Sequence, residues 1–395
     1  MASPIQKLTR RPHAKTRTGC RVCKSRKVKC DETRPSCRNC IRRGVSCDFN
    51  LSARSATPNS RAASSSAGGN PIGSQTTSPA DVSINHLPTP TDCFGILDLE
   101  LLHHFTTSTC FTFSAEPMVR NFWRVNVPRI GFSYHYVLKG ILSLAALHLA
   151  RYKPERREML TEQAMVHHNA ASSLALPALN NLNSDDSVPM FFFSMLTAYI
   201  SLGSPKESDN LLVIANGAMP EWLFLFRGMR SVIDLNSETI HSFLSMGVIF
   251  NSGKQMSDIW EGDPPVEHEG LKELETTIKS YVKDPQRLDI LLHGIDSLRR
   301  SFGFFYGNNY TNDQRLRGAI MWLFKLRDEF VNLLKERDSE AMCILAFFCV
   351  LLQRLDNNWW IEGWGVHLVG RIYSVLDDRY RLWIRWPIEE IGWVP

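Results

Sequence analysis

Residues 18–49 read TGCRVCKSRKVKCDETRPSCRNCIRRGVSCDF, and their six cysteines decide what this part of the chain becomes. Cys20, Cys23, Cys30, Cys37, Cys40 and Cys47 are spaced C-x2-C-x6-C-x6-C-x2-C-x6-C. The two halves repeat one pattern, C-x2-C-x6-C, as a pseudo-symmetric pair of metal sites would. A C-x2-C step lets two sulfurs reach a single ion from one turn of chain. Structural zinc takes four tetrahedral ligands, so two ions need about eight ligand positions, and six thiolates fill them only if two bridge both metals. The expected cofactor is therefore a pair of zinc ions. A disulfide framework is the alternative, but it belongs to secreted chains, and this segment is crowded with Lys and Arg.

That cationic character is local. Residues 1–50 carry 14 Lys+Arg against three acids (Asp31, Glu32, Asp48), while the remaining 345 residues carry 31 against 37. A basic segment on an otherwise acidic chain points to a polyanionic partner for the N-terminus only, and double-stranded DNA leads. Arg21, Lys24, Arg26, Lys27 and Lys29 lie around the first three cysteines and are the expected DNA-binding residues. Lys or Arg on guanine O6 and N7 is the commonest base-specific contact, with flanking cations on phosphates. A solvated basic face or a nuclear-import signal is the plainer reading of such a run, and one segment can serve both ends.

The spacing of Cys20–Cys47, with Pro35 two residues before Cys37, resembles the six-cysteine binuclear zinc cluster of fungal transcription factors. The resemblance implies that Cys20 and Cys37 are the bridging thiolates. One ion would take Cys20, Cys23, Cys30 and Cys37, the other Cys37, Cys40, Cys47 and Cys20. It also implies that Lys27 approaches a CGG-type triplet with Arg26 beside it, and that the protein works in the nucleus. Many such proteins follow the last cysteine with a heptad-repeat helix. Here the following residues show no a/d heptads, so a coiled-coil dimer is not expected, and monomeric binding or a homodimer through another domain stays open.

The remainder divides by composition. Residues 1–19 are read as a basic arm, 20–47 as the zinc-cluster module, and 48–93, rich in Ser, Ala, Gly and Pro, as a disordered linker that buries too little to order itself. Residues 94–395 turn apolar at helical spacing, with few strand signals, and are read as one all-α regulatory domain. Expected helices cover 97–113, 134–152, 155–182 with a break near Pro177, 188–202, 221–235, 271–282, 287–302, 313–334, 340–355 and 365–382. The longest apolar runs, 189–202 and 342–352, are shorter than the ~20 residues a membrane span needs, and no secretory leader is apparent, so a soluble intracellular protein is expected.

The stretches ELLHHFTTSTCFTF (100–113), HYVLKGILSLAALHLARYK (135–153), EWLFLFRGMRSVI (221–233) and those between 359 and 392 resemble the regulatory domain of the sterol uptake control proteins. That resemblance implies an all-helical domain that holds an apolar ligand such as a sterol. Short regulators of this kind often govern secondary-metabolite gene clusters. The expected function is thus a pathway-specific regulator of such a cluster, or alternatively a sterol-sensing regulator of sterol genes.

No catalytic residue is expected. The carboxylates show no pairing for acid/base work, and GVIFNSGK (247–254) has one residue too many between its glycines for a phosphate loop. The histidine pairs His103-His104 and His167-His168 point different ways on a helix and read as packing or surface groups. Cys93, Cys110, Cys343 and Cys349 read as buried free thiols. Trp359, Trp360, Trp364, Trp383, Trp386 and Trp393 read as core packing, with a pocket wall as the alternative.

Overall fold

The computed structural model describes residues 18–26, 28–33, 36–43, 45, 47, 94–180, 186–215, 217–235, 247–262, 267–307 and 310–395. The expected basic arm and linker, together with Lys27, Pro35 and Cys93, lie almost wholly or entirely outside them. The chain divides into two units, residues 1–86 and 87–395. Among the described residues there is no β-strand beyond one isolated bridge, Ala215 with Ala218. No helix among them is long and apolar enough to cross a membrane.

The first unit contains two short helices, α1 (Arg21–Ser25) and α2 (Arg38–Ile41), each beginning one residue after a cysteine. Among its described residues the buried interior is the six cysteines, with Val22 packed partly against them. So small a segment cannot bury enough carbon to fold alone, and its centre is sulfur instead of hydrocarbon.

Among its described residues the second unit is an assembly of helices with short connections, built around two helices that are apolar on nearly every side. The first, α6 (His135–Tyr152), is buried from Tyr136 to Ala150 apart from Lys139. It packs against α3 (Ile96–Thr107), α5 (Val127–Ser133), α7 (Arg157–Asn180) and α8 (Ser187–Gly203). Between α3 and α5 lie α4 (Pro117–Asn121) and a single π turn, Phe122–Asn126. Phe105, Trp123, Phe192 and Phe193 fill this core.

After α9 (Glu221–Leu235) and α10 (Gly247–Gly262), the second core forms from α11 (Glu269–Tyr281), α12 (Pro285–Tyr306), α13 (Asn312–Lys325) and α14 (Asp328–Lys335). They gather with α16 (Trp364–Val375), α17 (Asp378–Trp383) and α18 (Arg385–Ile391) around α15 (Ser339–Arg354). Residues 340–352 of α15 are buried without interruption, and Trp322 stacks on Phe348 with centroids 4.5 Å apart. Tyr199 and Trp359 pack against both cores and join them into one body.

The helix boundaries differ from the sequence reading where physics is least local. The stretch expected as 97–113 ends its α-helix at Thr107 and continues as a 3-10 turn, Thr109–Thr112. Pro177 does not break α7, which runs to Asn180, because a proline so near the C-terminus removes only one late backbone bond. The stretch expected as 313–334 is two helices, parted where Leu326 and Arg327 are extended. Likewise 365–382 is split between α16 and α17, with Asp377 capping Tyr380 N–H. Helices α4, α5, α10 and α18 are not among the expected ones, and GVIFNSGK lies within α10.

Trp360 and Trp364 are buried, while Trp359, Trp383, Trp386 and Trp393 are half-buried against the core. Cys110, Cys343 and Cys349 are buried free thiols. The histidine pairs serve packing: His104 Nε2 lies 3.1 Å from His148 Nδ1, and His167 Nε2 lies 3.0 Å from the Asp98 carboxylate.

Candidate metal centre

Cys20 opens α1 and Cys37 opens α2, both extended at the helix N-cap. Lys24 N–H bonds Cys20 O at 3.0 Å, and seventeen residues on Ile41 N–H bonds Cys37 O at 3.0 Å. Val28 N–H to Cys23 O and Val45 N–H to Cys40 O, both 3.1 Å, repeat the correspondence. Cys20 N–H points at Cys30 Sγ (3.4 Å) as Cys37 N–H points at Cys47 Sγ (3.5 Å). The sequence repeat has therefore become a structural one, and each half presents its sulfurs to the same centre.

The six cysteines sort into two overlapping quartets, Cys20-Cys23-Cys30-Cys37 and Cys20-Cys37-Cys40-Cys47, whose sulfurs lie within 4.8 Å of one another. Cys20 and Cys37 belong to both. Sulfur separations of 3.7 Å (Cys20–Cys37), 3.8 Å (Cys20–Cys40) and 3.6 Å (Cys23–Cys37) are far too long for disulfides. A zinc–sulfur bond of ~2.3 Å gives a tetrahedron edge of roughly 3.8 Å, so the donor set fits zinc in number, element and spacing.

Electrostatics agrees. Burial and the neighbouring thiols push Cys20 and Cys23 up and Cys40 to about 12. Burial would raise Cys30 too, but the Cys20 and Glu32 backbone N–H groups aimed at its sulfur outweigh that and lower it. Gathered thiols of this kind become thiolates when a cation neutralises them.

Arg21, Lys24 and Lys29 are exposed, and Arg26 is half-buried. Arg21, Lys24 and Arg26 sit on α1 or at its end, around the outside of the sulfur centre. Lys27 lies outside the described residues.

Two residues that sequence reasoning passed over hold the halves together. Both Asp31 oxygens accept the Arg38 N–H that begins α2, at 3.0 and 3.2 Å. The Thr33 hydroxyl donates to the same carboxylate and lowers its pKa. Asn39 Nδ2 donates to Lys29 O at 2.7 Å, tying α2 to the end of the basic run. The signal was present only as a polar residue directly after the third cysteine and another directly before the fifth.

Comparison with known proteins matches residues 18–56 to the fungal Zn(2)-Cys(6) binuclear cluster domain. Residues 100–254 match the fungal specific transcription factor domain. The chain is 25% identical to a Zn(2)-C6 fungal-type transcription factor of Gibberella zeae, over 96% of this chain and 86% of that one. It is 30% identical to the Zn(2)-C6 fungal-type transcription factor afumD of Aspergillus fumigatus, over 58% of this chain and 57% of that one. Similarity to sterol uptake control protein 2 of Candida albicans is lower, 20% over 72% of this chain and 40% of that one.

Proposed function

We propose that this chain, a fungal Zn(2)-C6 transcription factor, binds two zinc ions through Cys20, Cys23, Cys30, Cys37, Cys40 and Cys47 and reads a CGG-type triplet in the nucleus. The observation that carries the proposal is the pair of sulfur quartets sharing Cys20 and Cys37. Bound zinc supplies cross-linking, joining the two halves of a segment whose described residues bury sulfur in place of a hydrocarbon core. The chain's own residues do the reading. Arg21, Lys24, Arg26, Lys27 and Lys29 face the duplex, one or two of them on guanine and the others on phosphates. The genes under control are those of a secondary-metabolite cluster transcribed by RNA polymerase II.

A second reading makes the helical domain a sensor of an apolar ligand, with sterol genes as the output. It is favoured by the relative named for sterol uptake control. Mapping the genomic DNA bound by the full-length protein tests both. Peaks over CGG-type sites at one biosynthetic cluster support the first reading, and peaks at sterol genes support the second. Binding without any enriched sequence contradicts both.

A further inference from the structure

We propose that the helical domain holds a second, separate site, which takes a phosphoryl group on a small metabolite or free phosphate. It does not depend on the reading of the zinc centre.

The site is a cleft of about 320 Å³ where four stretches of chain meet. Phe305 from α12 and Leu355, just after α15, give it apolar wall. Asn312 and Arg315 come from the first turns of α13, Arg354 from the end of α15, and Asn357 and Asn358 from the turn that follows. Two guanidinium groups and three amides thus line one cleft, and no Asp or Glu does.

Arg315 is the decisive residue. It is half-buried, its Nε is shut off from solvent, and that atom has no hydrogen-bond partner. Among the described residues no acid pairs with its side chain. Its charge has no counter-ion among the residues lining the cleft, while the side chain keeps some contact with solvent. Its neighbours do not relieve it. The adjacent Asp313 accepts from Ala115 N–H at 2.8 Å and from the Ser114 hydroxyl, and Asp356 accepts from Gly363 N–H at 2.5 Å. Glu390 is committed to Arg354, whose Nε also donates to the Tyr306 hydroxyl at 3.1 Å.

The amides complete the chemistry. Asn358 Nδ2 donates to Leu355 O and to Asn357 Oδ1, and the Asn357 Nδ2 has no partner among the described residues. The Asn312 side chain is equally uncommitted among the described residues. α13 is capped by the reciprocal pair Thr311 and Gln314, and its N-terminal dipole adds to the positive field. An excess of donors around an unpaired guanidinium, without a carboxylate, suits a tetrahedral dianion with several acceptor oxygens. The volume lies at the lower end of the ~300–1,000 Å³ usual for ligand sites, so the remainder of the ligand is small.

The test is calorimetric titration of the full-length, zinc-loaded protein with inorganic phosphate, glycerol 3-phosphate and citrate, each matched for ionic strength with sodium chloride. Saturable binding of phosphate is expected, weakened roughly tenfold or more by Arg315→Gln and several-fold by Asn357→Ala. Arg315→Lys keeps the charge without the fork and should lie between. Binding by phosphate alone identifies the free ion, and binding by both phosphates identifies an ester. If Arg315→Gln fails to fold, Asn357→Ala and Arg315→Lys decide in its place. Absence of saturable binding, insensitivity to these substitutions, or equal binding of citrate would overturn the proposal.

Discussion

At the scale of single residues, the shared cysteines differ in kind from the others. Cys37 stands in both sulfur quartets, whereas Cys30 stands in one. Cys37→Ser should therefore lower the zinc content toward none, while Cys30→Ser should spare one ion more often than not. Metal analysis of the two purified variants distinguishes them, and equal loss would argue against bridging. Lys27→Ala should weaken specific DNA binding by roughly 1–3 kcal/mol and relax selectivity at one base. Binding to a panel of single-base variant duplexes measures this, and an unchanged preference would remove Lys27 from the base readers.

The same scale shows where the site was legible. Ligands two and six residues apart are a local constraint, so the cysteines could be read directly as a metal set. Asp31 and Asn39 could not. Their hydrogen bonds to Arg38 N–H and Lys29 O exist only once the chain has turned back on itself. Arg315 was hidden for a stronger reason, since its cleft draws on residues 305, 312, 354 and 357, which no pattern in the chain connects.

At the scale of elements, burial on all sides was the clearest signal. The helix expected over 134–152 is α6, His135–Tyr152, because an all-round apolar stretch of that length leaves no other option in a helical domain. One proline misled: Pro177 suggested a break, but the helix runs through it to Asn180. The break at Leu326–Arg327 carries no glycine or proline and was invisible.

Helix packing also yields a prediction. α15 and α16 approach so closely that a Cβ on Gly365 would sit 2.9 Å from both Cys349 O and Gln353 N. Both atoms are backbone, so the helices must part to admit it. Gly365→Ala should destabilise the helical domain by roughly 1–3 kcal/mol in urea unfolding. No change in midpoint would mean that the crossing is looser than described.

At the scale of the whole molecule, two responses to solution conditions follow. His148 is pulled down to about 4, chiefly by burial, with His104 and Arg151 acting in the same direction. His104, His167, His168, His268, His293 and His367 are also lowered, each chiefly by burial. Each binds its proton more readily in the unfolded chain, so the unfolded state gains protons first as pH falls. Stability is fully present above about pH 6.5 and declines as pH falls, for His148 down to about pH 4 with a slope of up to roughly 1.4 kcal/mol per pH unit for its one proton. His148→Gln should flatten that slope in denaturation measured across the range. The second response is to salt. With 14 Lys+Arg within residues 1–50, DNA affinity should fall steeply and linearly with the logarithm of salt concentration. Arg10 and Lys15 of the basic arm are expected to meet phosphates, so Arg10→Ala and Lys15→Ala should reduce affinity for all sequences about equally, and a loss confined to one site would contradict that role.

The N-terminal unit's function depends on what its six buried sulfurs bind. Elemental analysis of reduced, full-length protein, quantified against chain concentration, measures it directly. The expected result is close to two zinc ions per chain, with chelation abolishing specific DNA binding. A folded, specifically binding protein with one ion or none would contradict the account.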